Sequence, residues 1–377
     1  MPPIRQISAA IKQAAHAAGF ELAGIAPVGQ LPELDHFPQW VAAGHAGEMK
    51  YMEARNEAGN LKRSSLQAAV PWARSVIVCA INYNTAQPYS TRVVDSECGW
   101  ISRYAWGRED YHDAVMRRLK EVESRLMEEV ATEDARTELA LSLSKGASAP
   151  HDPGPHEDLQ TRCYVDTGPV MERVYAKHAG IGWIGKNTCI INQKIGSWLF
   201  LGVILTSLEL EPDLPPADRC GTCTRCIEAC PTDAFIGPYE LDANRCISYL
   251  TIEKRGTIAE DLRDGMGRQV FGCDICQDVC PWNRKAPATS APEFQAREEL
   301  INPALEWLAH MNDEEFREKF RGSPVRRAKR SGLRRNAVIA MGNSGDRGFI
   351  STLGELSQDD ELIVAEHARW AKNKLEP

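Results

Sequence analysis

Twelve cysteines are present, and eight of them fall into one arrangement. The first run reads Cys220-x2-Cys223-x2-Cys226-x3-Cys230-Pro231. In the bacterial ferredoxin signature with this spacing, three thiolates hold one [4Fe–4S] cluster and the fourth reaches a second. The second run, Cys273-x2-Cys276-x3-Cys280-Pro281, lacks its opening cysteine, because Val270 stands there. Cys246 lies between the runs and is the natural substitute. Two four-thiolate sites follow: Cys220, Cys223, Cys226 and Cys280 for one cluster, and Cys230, Cys246, Cys273 and Cys276 for the other. CxxC pairs also build structural zinc sites, but x2-x2-x3-Pro is not zinc-ribbon spacing. Residues 220–282 must therefore fold around inorganic clusters as much as around an apolar core. Cys79, Cys98, Cys163 and Cys189 are scattered and default to free cysteines.

Two clusters in contact make an electron wire, and a pure carrier needs little else. Here 219 residues precede the first cluster cysteine. That excess predicts an enzyme fed by the wire. A chain of 377 residues is expected to divide into two or three domains. Residues 1–210 read as a mixed α/β (α+β) catalytic domain. Helical spacing marks Ile4–Ala18, Tyr111–Val130 and Val170–Ala179, while Ser75–Tyr83, Cys163–Asp166 and Ser197–Ser207 read as strands. Such alternation predicts a sheet covered by helices. The Pro-, Gly- and Ser-rich stretch at about 132–160 reads as an inserted loop. Residues 211–290 form the expected ferredoxin-type domain, and 291–377 a helical region with one HEAT-like unit. The N-terminus lacks a signal-peptide core, and the longest strongly apolar run is Trp198–Leu205. With cysteines suited to a reducing compartment, these features predict a cytoplasmic protein without a membrane span.

The formal charge is -8, yet Arg317 to Arg335 holds nine basic residues against the single Glu318. This local balance of +8 predicts a surface for a polyanion, with a solvated helix face as the plainer alternative. Two nucleotide motifs fail on context. Gly180-x-Gly182-x-x-Gly185 follows a helical segment rather than a strand, and Asn187 stands where a P-loop needs Ser or Thr. Those glycines instead predict close approach to a flat ligand or a packed element. Asp166 ends a strand beside Gly168-Pro169, suited to an active-site mouth. A carboxyl desolvated there is a usable general acid; an Asx-turn is the alternative.

The segments ISRYAWGREDYH, VDTGP, AGIGWIGKN, GSWLFLG, CGTCTRCIEACPT, RCISYLTIEKRG and FGCDICQDVCPWN occur in one order. Over roughly residues 5–285, and weakly in the tail, the chain resembles the epoxyqueuosine reductases. It departs at about 135–158. The resemblance implies reduction of epoxyqueuosine, at the wobble position of tRNA, to queuosine. Two electrons and two protons would remove the oxygen as water. It implies cobalamin, resting as cob(II)alamin, in addition to two [4Fe–4S] clusters. Asp166 matches the proton donor. Arg63, Ser102, Ile190, Leu201 and Ser248 match positions around the corrin, and Cys273 and Asp274 would pack a cluster edge against it. The implied partners are a tRNA anticodon stem-loop and an external low-potential electron donor, acting on a monomer. Lys254 and Arg255, with Arg326, Arg327, Lys329 and Arg330, are the candidates for RNA phosphates. Reductive dehalogenases share the corrinoid-plus-clusters arrangement and form one alternative. A ferredoxin-like carrier and an RNA-binding module with structural clusters form two others.

Overall fold

The structure is a computed structural model that describes residues 4–93, 95–144 and 159–376. Its centre is a four-stranded sheet in the order Leu22–Pro27, Ser75–Asn82, Leu199–Thr206, Thr161–Tyr164. Every pairing is antiparallel, so the predicted mixed fold takes its α+β form. Strand period 2 sorts the side chains. From the central strand, Ile77, Cys79 and Ile81 enter one core, and Val76, Val78 and Ala80 the other. The first core is closed by helix Ile4–Ala17 through Ile7, Ile11 and Ala15, and by the long helix Tyr111–Ser144 through Val115, Leu119 and Val122. The second is closed by helix Glu172–His178 through Val174, Tyr175 and Ala176. Gly202 permits the close approach of the long helix. A Cβ there would lie 2.7 Å from Leu119 Cδ1, well inside van der Waals contact.

Two expected boundaries shift. The long helix does not stop near Val130 but runs to Ser144, so residues 132–144 are helical rather than loop. Composition suggested a loop, but this stretch contains no Pro or Gly to break the helix. The rest of the expected insertion, 145–158, lies outside the described residues. The strand before the Asp166 turn ends at Tyr164, which leaves Asp166 in the connection. Among the described residues no helix is long and apolar enough to cross a membrane.

The cysteine-rich region hangs on short elements: one-turn helices Arg225–Glu228 and Ile275–Asp278, a hairpin Phe235–Gly237 with Glu240–Leu241, and helix Ile247–Ile252. It is joined to the first half by the parallel pairing of Gln269–Phe271 with Trp100–Ile101. The tail is helical, with Leu305–His310, Asp313–Lys319, Lys329–Ser344, Ile350–Leu356 and Leu362–Leu375. Its core includes Trp100, Trp106 and Phe271, so it is packed onto the cluster region. Arg335 and Asn336 strengthen that junction. Arg335 donates to the carbonyls of Leu250, Lys254 and Gly256, and Asn336 to those of Thr251 and Val270. Part of the basic segment therefore belongs to the fold and not to the surface.

Candidate active site and cluster cradle

One cavity of about 230 Å³ is lined by Cys220, Cys223, Cys226 and Cys280, with Trp282, Ile191 and Lys186 at its edge. Four thiols around a void of that size fit a cuboidal cluster. Among the described residues no three His, Cys, Asp or Glu side chains are spaced to hold a single metal ion. Lys186 donates to the carbonyls of Gly221 and Cys223, at 2.7 and 3.0 Å, and so pins the first cysteine loop. That is what the lysine of the failed P-loop motif does here. Its glycines serve packing. A Cβ on Gly182 would meet the Ile191 carbonyl oxygen at 2.4 Å, within the hairpin Trp183–Ile184 and Ile190–Ile191.

The other four cysteines, Cys230, Cys246, Cys273 and Cys276, lie near one another. Burial pushes the Cys246 and Cys273 thiols up, and both also feel Cys230. Cys276 is raised by its hydrogen bond with Cys189 and by burial, and it feels Cys273 and Cys246. Iron must therefore displace these protons when it binds. The backbone N–H of Ala234 donates to Cys230 Sγ at 3.4 Å. Hydrogen bonds of this kind tune cluster potential. Cys189, scattered in sequence, is thus drawn against Cys276. No spacing rule marks it, because the hairpin Trp183–Ile191 brings it there.

Asp166 sits just past strand Thr161–Tyr164 with φ of 57°, a left-handed conformation that is uncommon for a residue with a side chain. Tyr111 donates its hydroxyl to Asp166 Oδ2. Tyr111 itself is clamped, its ring stacked on Phe200 at 4.4 Å and 2°. Asp166 is exposed. The expected desolvated pocket is therefore not built by the chain alone; the carboxylate stands at an open mouth. The segment RYAWGREDYH supplies both Tyr104 and Tyr111 to this mouth, their rings edge to face at 5.9 Å.

Around the mouth the candidate corrin residues divide. Arg63 lies over the Tyr51 ring at 5.6 Å, and Arg327 over the same ring at 5.9 Å. Leu201 is half-buried, and like Leu199, Tyr164, Met171 and Ile184 it packs as a partly exposed side chain against the second core. Ile190 is buried in the hairpin, and Ser248, two residues after Cys246, is half-buried. Partly exposed apolar side chains of this kind, together with the Arg63 cation, fit a flat, largely apolar macrocycle. Ser102 and Asp274 are different. Ser102 Oγ donates to Asp274 at 2.5 Å, and Trp100 Nε1 and the Arg103 N–H donate to the same carboxylate at 3.0 and 2.7 Å. Both are buried, so their polar atoms are used inside the protein, bracing the loop that carries Cys273.

The basic candidates also divide. Arg330 pairs with Asp313 and Glu361, Arg327 with Glu253 at 2.6 Å, and Lys254 with Glu48 at 2.5 Å. Arg255 lies 4.0 Å from Glu253. Arg326 and Lys329 are exposed and have no acidic partner among the described residues. The expectation of one continuous free basic face is corrected to a surface in which much of the charge is already paired. Helices rich in Arg bring acids with them, and burying an unpaired guanidinium is costly.

Residues 63–141 match a family model described as epoxyqueuosine reductase QueG, and residues 219–283 match a 4Fe–4S double cluster binding domain. A relative from Xanthomonas campestris, an epoxyqueuosine reductase, is 37% identical over 374 residues, covering 98% of this chain and 96% of its own. One from Synechocystis is 42% identical over 320 residues, 83% of this chain and 98% of its own. The chain belongs to the epoxyqueuosine reductase family. A crystal structure of an epoxyqueuosine reductase with an epoxyqueuosine-modified tRNA stem-loop superposes with TM-score 0.82 at 28% identity, covering 99% of this chain and 91% of that one. A Bacillus subtilis epoxyqueuosine reductase with its catalytic loop swung out of the active site aligns at TM-score 0.81.

Proposed function

We propose that this protein reduces epoxyqueuosine in tRNA to queuosine, with Asp166 as proton donor and electrons supplied through two [4Fe–4S] clusters. The observation that carries the reading is the pairing, within one full-length family match, of eight cluster-spaced cysteines with the Tyr111–Asp166 mouth. Arg63, Ile190, Leu201 and Ser248 would hold cobalamin, with Cys273 and Asp274 bringing the second cluster to its edge. When bound, cobalamin supplies a strongly reducing centre for the epoxide carbon. The protein's own residues do the rest. Cys220, Cys223, Cys226 and Cys280 would ligate the outer cluster, and Cys230, Cys246, Cys273 and Cys276 the inner one. Opening the epoxide builds negative charge on oxygen, and a donor placed at that atom lowers the barrier. Tyr111 orients Asp166 for that transfer and keeps its left-handed turn in place.

The RNA would cross the tail and the mouth, contacting Arg326, Lys329, Lys254 and Arg255, with Arg327 and Arg330 reached by exchange of their carboxylate partners. An anticodon loop exposes single bases, whereas a duplex hides them. The division at about 210 and 290, the HEAT-like character of the tail, a cytoplasmic monomer and an external low-potential donor complete the proposal. The RNA part has a direct test. Arg326→Glu combined with Lys329→Glu should weaken stem-loop binding and lower the slope of log affinity against log salt by about 0.7 per lost contact. Filter binding at several salt concentrations reads this. An unchanged slope would remove these two residues from the interface.

A further inference from the structure

We infer that the opening of the cavity lined by Cys220, Cys223, Cys226 and Cys280 is the docking surface for the electron donor, and that this donor is a small acidic flavoprotein carrying FMN. The inference rests on the proposed reading that an external donor feeds the clusters. Besides the four thiols, the cavity is lined by three cations, Lys186, Arg219 and Arg225, and by no Asp or Glu among the described residues. Arg219 and Arg225 are exposed, and neither guanidinium has a hydrogen-bond or ion-pair partner among the described residues. Two acids of the same loop are engaged by neutral donors. Asp218 accepts from the Cys220 N–H at 2.7 Å and from the Tyr239 hydroxyl at 2.5 Å, and Glu228 accepts from the Thr224 hydroxyl. Most of a chain with formal charge -8 repels an acidic partner. Cations gathered at a redox centre give such a partner one place to approach, over the short range that salt leaves unscreened.

Apolar surface lies beside this charge. The Tyr239 N–H donates to the Lys186 carbonyl at 3.1 Å, and the tyrosine is 45% exposed. Ile236, from the same hairpin, is 49% exposed, and Trp282 forms part of the cavity wall. Exposed aromatic and arginine side chains together are the composition of an interface core. A flavin carries its electron on a ring whose outer edge is apolar. This surface offers contact to that edge while the arginines hold the acidic surface around it. In each encounter the anionic FMN hydroquinone gives up one electron and becomes the neutral semiquinone, and the oxidised cluster takes that electron. No bond forms or breaks, and two encounters supply the two electrons of the reaction. The plainer role for the same cations is to offset the charge of four thiolates and their cluster.

The test mixes fully reduced flavodoxin, an acidic FMN protein, with the reconstituted holoprotein in stopped flow, without RNA, and follows the flavin semiquinone. Its rate of formation should fall steeply with added salt. Arg219→Gln combined with Arg225→Gln should lower the second-order rate constant about tenfold at low salt and flatten its salt dependence. Arg219→Lys with Arg225→Lys should keep both. Methyl viologen radical, a small cation that needs no docking, should reduce the Gln variant no more slowly than the wild type, at equal iron content. No semiquinone with the wild type, a rate independent of salt, or a Gln variant as fast as the wild type would overturn the proposal. So would equal slowing with methyl viologen, which would mean that the arginines set the cluster's potential or integrity. A [2Fe–2S] ferredoxin of similar charge should be the poorer donor; if it is the better one, the flavin assignment falls. Because no RNA is present, failure of epoxide reduction in a separate stem-loop assay would count against the proposed reaction and leave this result standing.

Discussion

Asp166→Asn should lower epoxide reduction by roughly 10²-fold or more, the scale of lost general-acid catalysis. The substitution is well matched to its site. Asn tolerates the left-handed backbone better than most residues, and Asp166 holds φ at 57°. Asn also keeps an oxygen to accept the Tyr111 hydroxyl. The fold, cobalamin binding and stem-loop affinity should therefore persist while the transferable proton is gone. Rates under single-turnover conditions, with cobalamin absorbance as the binding control, separate these effects. Near-normal turnover would return Asp166 to the role of an Asx-turn residue.

Cys246→Ser should halve the iron content, from about eight atoms per chain to about four, because each four-thiolate site holds four irons. Val270 is fully buried beside the strand pairing with Trp100–Ile101 and has no thiol to offer. Cys189 is a nearby substitute, since it is hydrogen-bonded to Cys276. Iron analysis after anaerobic reconstitution should be run on Cys246→Ser alone and with Cys189→Ser. Full iron in the double variant would show that Cys246 is not a ligand. Turnover should be lost with the second cluster even where the first remains, since the wire would be cut at its inner end.

The cysteine spacing carried the most information, because a cluster imposes its ligand geometry on the chain directly. The buried strands Ser75–Asn82 and Leu199–Thr206 were equally plain, being short, apolar and β-branched. Three things were not legible. Helix Tyr111–Ser144 outruns its amphipathic part, since residues 132–144 remain helical without an apolar stripe long enough to announce them. The partners of the basic segment come from far away: Glu361 and Asp359 for Arg330 and Arg334, Glu253 for Arg327. No local pattern marks such pairs, so a charge count overstated the free surface. The Tyr111–Asp166 bond joins residues 55 positions apart through the order of strands in the sheet. Asp166 could be suggested from its turn, but the tyrosine that holds it could not.

We propose that this chain removes one oxygen from epoxyqueuosine by using cobalamin and both clusters. Mass analysis of nucleosides from an epoxyqueuosine stem-loop, after incubation with the reconstituted protein and a low-potential reductant, tests it most directly. Queuosine, lighter by one oxygen atom, should appear only when iron, sulfide and cobalamin have all been supplied. Unchanged epoxyqueuosine with the fully loaded protein, or conversion without cobalamin, would overturn this assignment.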